Sequence, residues 1–443
     1  GRWTGIARVE AALALALAES PNVRSIKFVA WQDRVQEFVE MPLQAIRTGT
    51  TAGLLAQLGE RPPVHSLVVP AGARYVVPGS GWMQNPRYAE GILGFKHRHD
   101  LRLTPIIHDV IPHFFPFWFD DGYAEIFERN LKLLLSQADQ IVAISEHTRK
   151  DVEKFADSNL DLILAPIRTF REGDDIAQIV TSGGETPVQL DELESRPFVL
   201  TVGAIHTRKN HRLLYDVWLK LKEAMGRSCP VLVMVGGVAW NGQDLARTIR
   251  KDKRVSDVIM ILDNVDDVAL DWLYRNCQFT VYPSLYEGWG LPVSESLRYG
   301  KLCLASNSSS VPEIAPDLIE LIDPYDPVRW LAKVRHFATS RWTLSIREQQ
   351  IRDTYRMTSW REAADELVGE MSRPDEAASW PYPLGTVISL GDFHQGNRVK
   401  REGWHLTERW GCWSKAMRAR LAFTLSELPP GDLVFVAELQ AIC

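Results

Sequence analysis

The 443-residue sequence is short of cysteine, of long apolar runs and of surplus positive charge, and each shortage argues against a class of protein. Its five cysteines (Cys229, Cys277, Cys303, Cys412 and Cys443) are scattered, odd in number and never in CxxC spacing. That speaks against a disulfide framework or a cysteine zinc site and favours reduced thiols. No apolar stretch is long enough to span a bilayer as a helix. A net charge of −6 argues against a protein whose main work is holding nucleic acid through a basic face. No repeat occurs at solenoid periods.

One run imitates a signal-peptide core, Ala11-Ala-Leu-Ala-Leu-Ala-Leu-Ala18. Arg8 and Glu10 interrupt its approach and a basic leader is missing, so it reads as a buried helix, with Thr4 as its cap. Gly1 in place of methionine and an abrupt end after an apolar run suggest a piece of a longer chain.

What is present is alternation. Strand-like runs at 25–30, 66–69, 75–77, 105–108 and 140–145 are interspersed with helical periodicity, including a leucine-rich stretch at 123–136. Strand, helix, strand implies a parallel sheet with helices on its faces. Residues 172–196 are polar and acidic, with Gly183-Gly184 and Pro187, and read as a linker. The pattern then restarts with strands at 198–202, 231–235, 258–262, 279–282 and 302–305, and closes with a helix near 359–371. The expected domains are 1–180 and 195–371, both doubly wound α/β units. Beyond Ser372 come Pro374, Pro381, Pro383 and Gly385, then short strand-like runs (419–424 and 433–438) with Trp404, Trp410 and Trp413. That composition suggests a small, incomplete β-sandwich over 385–443.

Ligands of doubly wound folds bind where strands end and loops begin. The loop after 279–282 carries Glu287-Gly288-Trp289-Gly290-Leu291-Pro292 and, one turn into the next helix, Glu295. Gly288 and Gly290 let backbone approach a ligand, and the helix start is electropositive. Paired carboxylates suit sugar hydroxyls, which donate hydrogen bonds. The loop after 198–202 runs from Gly203 to Arg208-Lys209-Asn210, where adjacent cations suit a diphosphate and Asn210 suits a helix cap. Each loop alone also reads as an ordinary solvated turn. His97 and His99 have a metal-like spacing with nothing to complete a site, so a surface pair is expected. His108-Asp109 reads as a dyad or as a locally bonded strand end. The aromatic run 113–119 reads as core, or as a loop lining an acceptor groove.

In order and spacing, Gly203 with Arg208-Lys209-Asn210, the Glu287-x7-Glu295 pair and Ser308-Ser-Ser-Val-Pro-Glu313 resemble the group 1 retaining glycosyltransferases of GT-B fold, typified by bacterial mannosyl- and glucosyltransferases. Thr4-Gly5-Ile-Ala-Arg8, Ile107-His108-Asp109 and 138–146 resemble the other half of that family more weakly. The resemblance implies two Rossmann-like domains facing a cleft and transfer of a hexose from a nucleotide-sugar donor to a glycan or lipid-linked acceptor. The setting implied is surface polysaccharide synthesis. Glu295 would bind the ribose, and Glu287 would lie beside the transferred sugar. Gly203, Gly288, Trp289, Gly290 and Leu291 would line the donor site, while Arg208 and Lys209 would hold the departing diphosphate in place of a metal. His108 would be the catalytic histidine on the acceptor side, where Gly5 and Asp109 also lie. No cofactor, metal or nucleic acid is expected. A cytoplasmic location with peripheral contact at the inner face of the plasma membrane is. Ala204 stands where the family often has a basic residue, and the first strand of the first domain is expected to precede Gly1. Two rival readings keep the fold: a sugar-nucleotide epimerase, and an inactive transferase that binds glycans through its C-terminal segment.

Overall fold

Val231-Leu-Val-Met-Val235 is buried at every position, the pattern of a parallel strand covered on both faces. It belongs to the larger of the two main parallel sheets among the described residues of the computed structural model, which are 5–34, 36–47, 69–70, 72–83, 85–159, 162, 164–174, 188–239, 241–263, 265–373 and scattered short stretches from 381 onward.

The first lobe opens with the helix Ile6–Glu19, which buries Val9, Leu13 and Leu17 along one face, as its periodicity predicts. Gly5 occupies the N-cap position and supplies no side-chain cap, while Thr4 lies outside the described residues. A hairpin of β1 (Phe28–Gln32) and β2 (Glu37–Met41) follows. The expected strand at 25–30 is therefore shifted and pairs antiparallel with a strand whose own Glu37 and Glu40 mask it in sequence. The expected strand at 66–69 lies mostly outside the described residues. The parallel sheet itself runs β3 (Arg74–Val77), β4 (Arg102–Ile107), β5 (Ile141–Ala143) and β6 (Ile167–Thr169), neighbours in chain order.

The second lobe carries six parallel strands: β7 (Phe198–Val202), β8 (Val231–Val235), β9 (Ile259–Leu262), β10 (Thr280–Tyr282), β11 (Cys303–Ser306) and β12 (Glu320–Ile322). Their order in the sheet is β12-β11-β10-β7-β8-β9. The chain winds one way from β7 and the other way from β10, so the order reverses between these adjacent strands. Loops leaving their carboxyl ends diverge to opposite faces and leave a crevice between them. The two loops singled out in the sequence are the ones that flank it.

Two boundaries need correction. The helix Trp360–Ser372 was expected to close the second domain, but it crosses back and packs on the first lobe. Ser20 Oγ donates to Asp365 at 2.6 Å, and Arg74 donates to the Met371 carbonyl at 2.6 Å. Helical periodicity specifies an apolar face, not which lobe covers it. The linker also begins later than expected, since Glu172 and Asp174 are both 2% exposed. Residues 175–187 lie outside the described residues.

Beyond 373 the described pieces are two short pairs, Trp404–Glu408 antiparallel to Gly411–Ser414 and Pro381–Tyr382 parallel to Thr424–Leu425. An isolated antiparallel bridge joins Lys400 and Leu421, and most of the rest of the expected sandwich, Trp410 and most of 433–438 included, lies outside the described residues.

Candidate active site

The crevice loops are stitched to each other before any ligand is considered. Leu285 N donates to the Arg208 carbonyl at 2.8 Å. Asn210, in the left-handed region at φ 56°, donates its amide to the carbonyls of Pro283 (3.2 Å) and Pro324 (3.1 Å). It occupies the N-cap of the helix His211–Met225, yet its side chain makes no cap bond. The expected capping role is replaced by one that ties three loops together.

At the centre stands Glu287, 6% exposed. Arg208 pairs with Oε2, and Lys209 Nζ lies 2.6 Å from Oε1. Burial alone would raise the Glu287 carboxyl, but the two cations, Arg208 first, hold it down at about 2. Burial lowers Lys209 to about 8, against the upward pull of Glu287. Its ammonium also donates to the Tyr282 hydroxyl at 2.6 Å. Asp109 comes from the other lobe; burial raises its carboxyl while Arg208 opposes the rise. The buried Glu287 and the half-buried Asp109 thus face two half-buried cations, and partial exclusion of water strengthens their pairing. His206 and His211 flank the cations. Burial and the neighbouring charge, Arg208 and Lys209 respectively, lower them to about 4 and about 3, so both stay neutral.

Three consecutive serines hold the Glu287 loop. Ser308 Oγ donates to Leu285 O at 2.6 Å, Ser309 Oγ accepts from Glu287 N at 2.8 Å, and Ser310 Oγ donates to the carbonyls of Glu287 (2.9 Å) and Trp289 (2.8 Å). The sequence drew attention to this run without assigning it a role. A row of short hydroxyls immediately after a strand is the signal that could have found it.

Glu295 forms a separate group. It is 8% exposed and accepts from the Tyr274 hydroxyl at 2.7 Å. Burial raises its carboxyl, with Arg8 of the first lobe the strongest opposing influence. Arg8 Nη2 is buried and has no hydrogen-bond partner, and Gly5 beside it is exposed. The two glutamates therefore sit in different charge networks. Trp289 is buried with the Arg171 guanidinium 5.7 Å from its ring centre, and Leu291 is half-buried against the core. Gly203 lies in the left-handed region at φ 148° and donates its N–H to Val235 O at 2.8 Å.

Gly288, expected to bring its backbone N–H to a ligand, has its carbonyl tied to the first lobe, accepting from Ser145 Oγ (2.8 Å) and Thr148 Oγ1 (3.2 Å). His108 was expected to be a catalytic histidine at the acceptor side, but it is 4% exposed and both ring nitrogens are engaged. Nε2 donates to the Pro78 carbonyl at 2.7 Å, and Nδ1 faces Glu172 at 3.3 Å. Burial would lower its pKa; Glu172, with the Pro78 carbonyl and Asp109, outweighs burial and the net shift is upward. Two oxygen acceptors favour an imidazolium fixed in place rather than a base free to receive a proton. Glu172, the residue responsible, fell in the stretch read as linker.

With this geometry in place, comparison with known proteins is informative. Residues 184–357 match the family model described as glycosyl transferases group 1. That match covers under half of the chain, which is similar to the group 1 glycosyl transferases over these residues. It is 28% identical over 232 residues to the O-antigen chain mannosyltransferase B of Escherichia coli, covering 52% of this chain and 59% of that one. It is 25% identical over 202 residues to the serotype-specific mannosyltransferase WbdA of Escherichia coli, covering 43% of this chain and 24% of that one. The chain thus spans under two thirds of the length of either relative. A solved Escherichia coli trehalose-6-phosphate structure bound with UDP-2-fluoro glucose superposes with a TM-score of 0.52 at 14% identity, covering 65% and 71% of the two chains. The fold is GT-B. Among the described residues no histidine, cysteine and carboxylate cluster suits a metal ion, and no helix is long and apolar enough to cross a membrane.

Proposed function

We propose that the protein is a retaining, metal-independent hexosyltransferase that moves a sugar, mannose by analogy with its relatives, from a nucleotide donor to a glycan or lipid-linked acceptor. The observation that carries this reading is Glu287 held between Arg208 and Lys209 at the strand reversal. In the reaction, the bond from the sugar's anomeric carbon to the diphosphate oxygen breaks and the diphosphate leaves with the electron pair. The acceptor hydroxyl bonds the same face of that carbon, and its proton passes to the leaving phosphate oxygen. Arg208 and Lys209 lower the barrier by meeting the charge that grows on the diphosphate, as preorganised donors do. Glu287 keeps both cations in register and accepts from a sugar hydroxyl. Glu295, on its own helix turn, receives the ribose hydroxyls.

The setting that follows is surface polysaccharide synthesis at the cytoplasmic face, with the membrane touched only from its surface. The test is product formation from GDP-mannose, UDP-glucose and ADP-glucose with a mannose-terminated acceptor, in excess EDTA, with the new linkage read by NMR. An α-linked product formed in EDTA supports the reading. An inverted linkage, a metal requirement, or an epimerised donor formed without acceptor overturns it.

A further inference from the structure

The aromatic run 113–119 projects from the first lobe to the rim of the crevice, and the transfer reaction leaves it without a task. His113 anchors it from behind, with Nδ1 2.8 Å from Glu128 and its ring edge-on to Phe155 at 4.9 Å. The run then meets the second lobe twice. Phe115 packs on Tyr286 at 4.9 Å between ring centres, and the Tyr286 carbonyl accepts from Arg208 at 3.3 Å. Phe119 packs on His206 at 5.9 Å, and His206 Nδ1 accepts from Arg208 N at 3.0 Å. Both contacts lie one residue away from the Arg208–Glu287 pair, so the run borders the proposed reaction centre.

Phe117 is the ring that nothing covers. Phe115 and the buried Trp118 stack on each other at 4.3 Å, and Phe117 meets both edge-on, at 6.1 and 5.7 Å. It is nonetheless 70% exposed. An open ring backed by a packed pair is a preformed flat surface, which costs a ligand little ordering. Asp120, Asp121 and Gly122, on the turn that follows, are exposed as well. No lysine or arginine occurs from His113 to Glu128. The electron-rich face of an aromatic ring attracts the carbon-bound hydrogens that make one side of a pyranose apolar. Carboxylates accept from its hydroxyls. Ring and carboxylates together favour a neutral sugar over an anionic head group.

We infer that Phe117 is an acceptor-binding residue and that the acceptor is a neutral oligosaccharide rather than a lipid surface. The order of the sugars rests on the transferase reading. The end sugar enters the crevice beside Arg208 and Lys209, and the sugar behind it lays its apolar face on Phe117. Asp120 and Asp121 accept that second sugar's hydroxyls.

The experiment uses the full chain with α-mannotetraose, maltotetraose and phosphatidylglycerol vesicles as separate probes. Hydrogen exchange at residues 114–122 should slow with a tetrasaccharide and not with the vesicles. Phe117→Ala should weaken that binding roughly tenfold, and Phe117→Tyr, which keeps the ring, should retain it. In transfer assays the same factor should appear in KM for the tetrasaccharide, without a matching fall in kcat. Binding that depends on Phe117 with no transfer from any donor would keep the glycan site and remove the transferase reading. Transfer with an unaltered KM in Phe117→Ala would do the reverse. Lack of protection by both tetrasaccharides overturns the inference, as does vesicle binding that is lost in Phe117→Ala.

Discussion

Gly288 of the second lobe lies against the backbone carbonyl of His108 in the first, so close that a β-carbon on Gly288 would come within 1.8 Å of that oxygen. The obstacle is backbone, with no rotamer to yield. Gly288→Ala must therefore part the lobes or displace the Glu287 loop. The cost expected is about 1–3 kcal/mol, as for other overpacked sites. Transfer should fall further than stability, because Arg208 and Asp109 reach each other's field across this contact. Thermal melting together with kcat/KM checks the prediction, and an unchanged pair of values would mean that the working enzyme does not close here.

Glu287→Gln tests the ion cluster through pH. The wild-type carboxyl sits at about 2, below its ordinary 4.5, so folding favours the ionised form. Its contribution is complete above pH 4.5 and is lost as pH falls through about 2. The glutamine variant should lack that acid limb when unfolding free energy is followed by urea titration. At neutral pH it leaves two half-buried cations facing one carboxylate fewer, a loss of stability below the roughly 3–5 kcal/mol of a fully buried pair.

Lys209 makes the opposite prediction on the alkaline side. Burial holds it at about 8, so the ammonium proposed to meet the leaving diphosphate is lost as pH rises through that value. Turnover should decline above about pH 8. Lys209→Arg should move that decline upward, since a guanidinium stays protonated. Lys209→Ala should cost roughly 2–4 kcal/mol of transition-state stabilisation across the range. A flat pH–rate profile in the wild type would separate Lys209 from the chemistry.

Glu295→Gln should weaken donor binding roughly tenfold by replacing a charged acceptor with a neutral one. Tyr274→Phe removes only the hydroxyl that orients the carboxylate and should produce a smaller loss of the same kind. Calorimetric titration with the donor distinguishes them. Unaltered affinity in Glu295→Gln would refute the ribose role.

The contrast between what the sequence disclosed and what it concealed follows the range of the interactions. The crevice loops were legible because strand runs such as Phe198–Val202 announce their own ends and the cations and glutamates follow at once. The second-lobe strands β7 and β8 were legible to the residue, being buried on both faces. The strands β6 and β12 were not, each being three residues long at a sheet edge, where continuous apolarity is not required. Glu172 was hidden because a buried carboxylate looks like any polar linker residue until its partner, His108, is folded onto it. Gly288 was read as a place where backbone nears a ligand, whereas the neighbour the fold brings to it is the His108 carbonyl of the other lobe.

The remaining latch between lobes is local enough to test by itself. Glu313 accepts from the backbone N–H groups of Glu146 (2.9 Å) and His147 (2.7 Å), the first residues of the helix Glu146–Asp157. A carboxylate at a helix start satisfies donors that have no partner within the helix and meets the positive end of its dipole. Here the carboxylate comes from the opposite lobe, so helix capping and lobe closure are the same contact. Tyr286 reinforces it, donating to Asp151 at 2.8 Å and meeting His147 Nε2 at 2.7 Å. Glu313→Gln keeps the shape and removes the charge, and should cost about 1 kcal/mol of stability. It should also speed hydrogen exchange at the Glu146 and His147 amides without altering exchange in β8. Equal acceleration in both places would mean that the contact supports the whole fold rather than the closure of one lobe on the other.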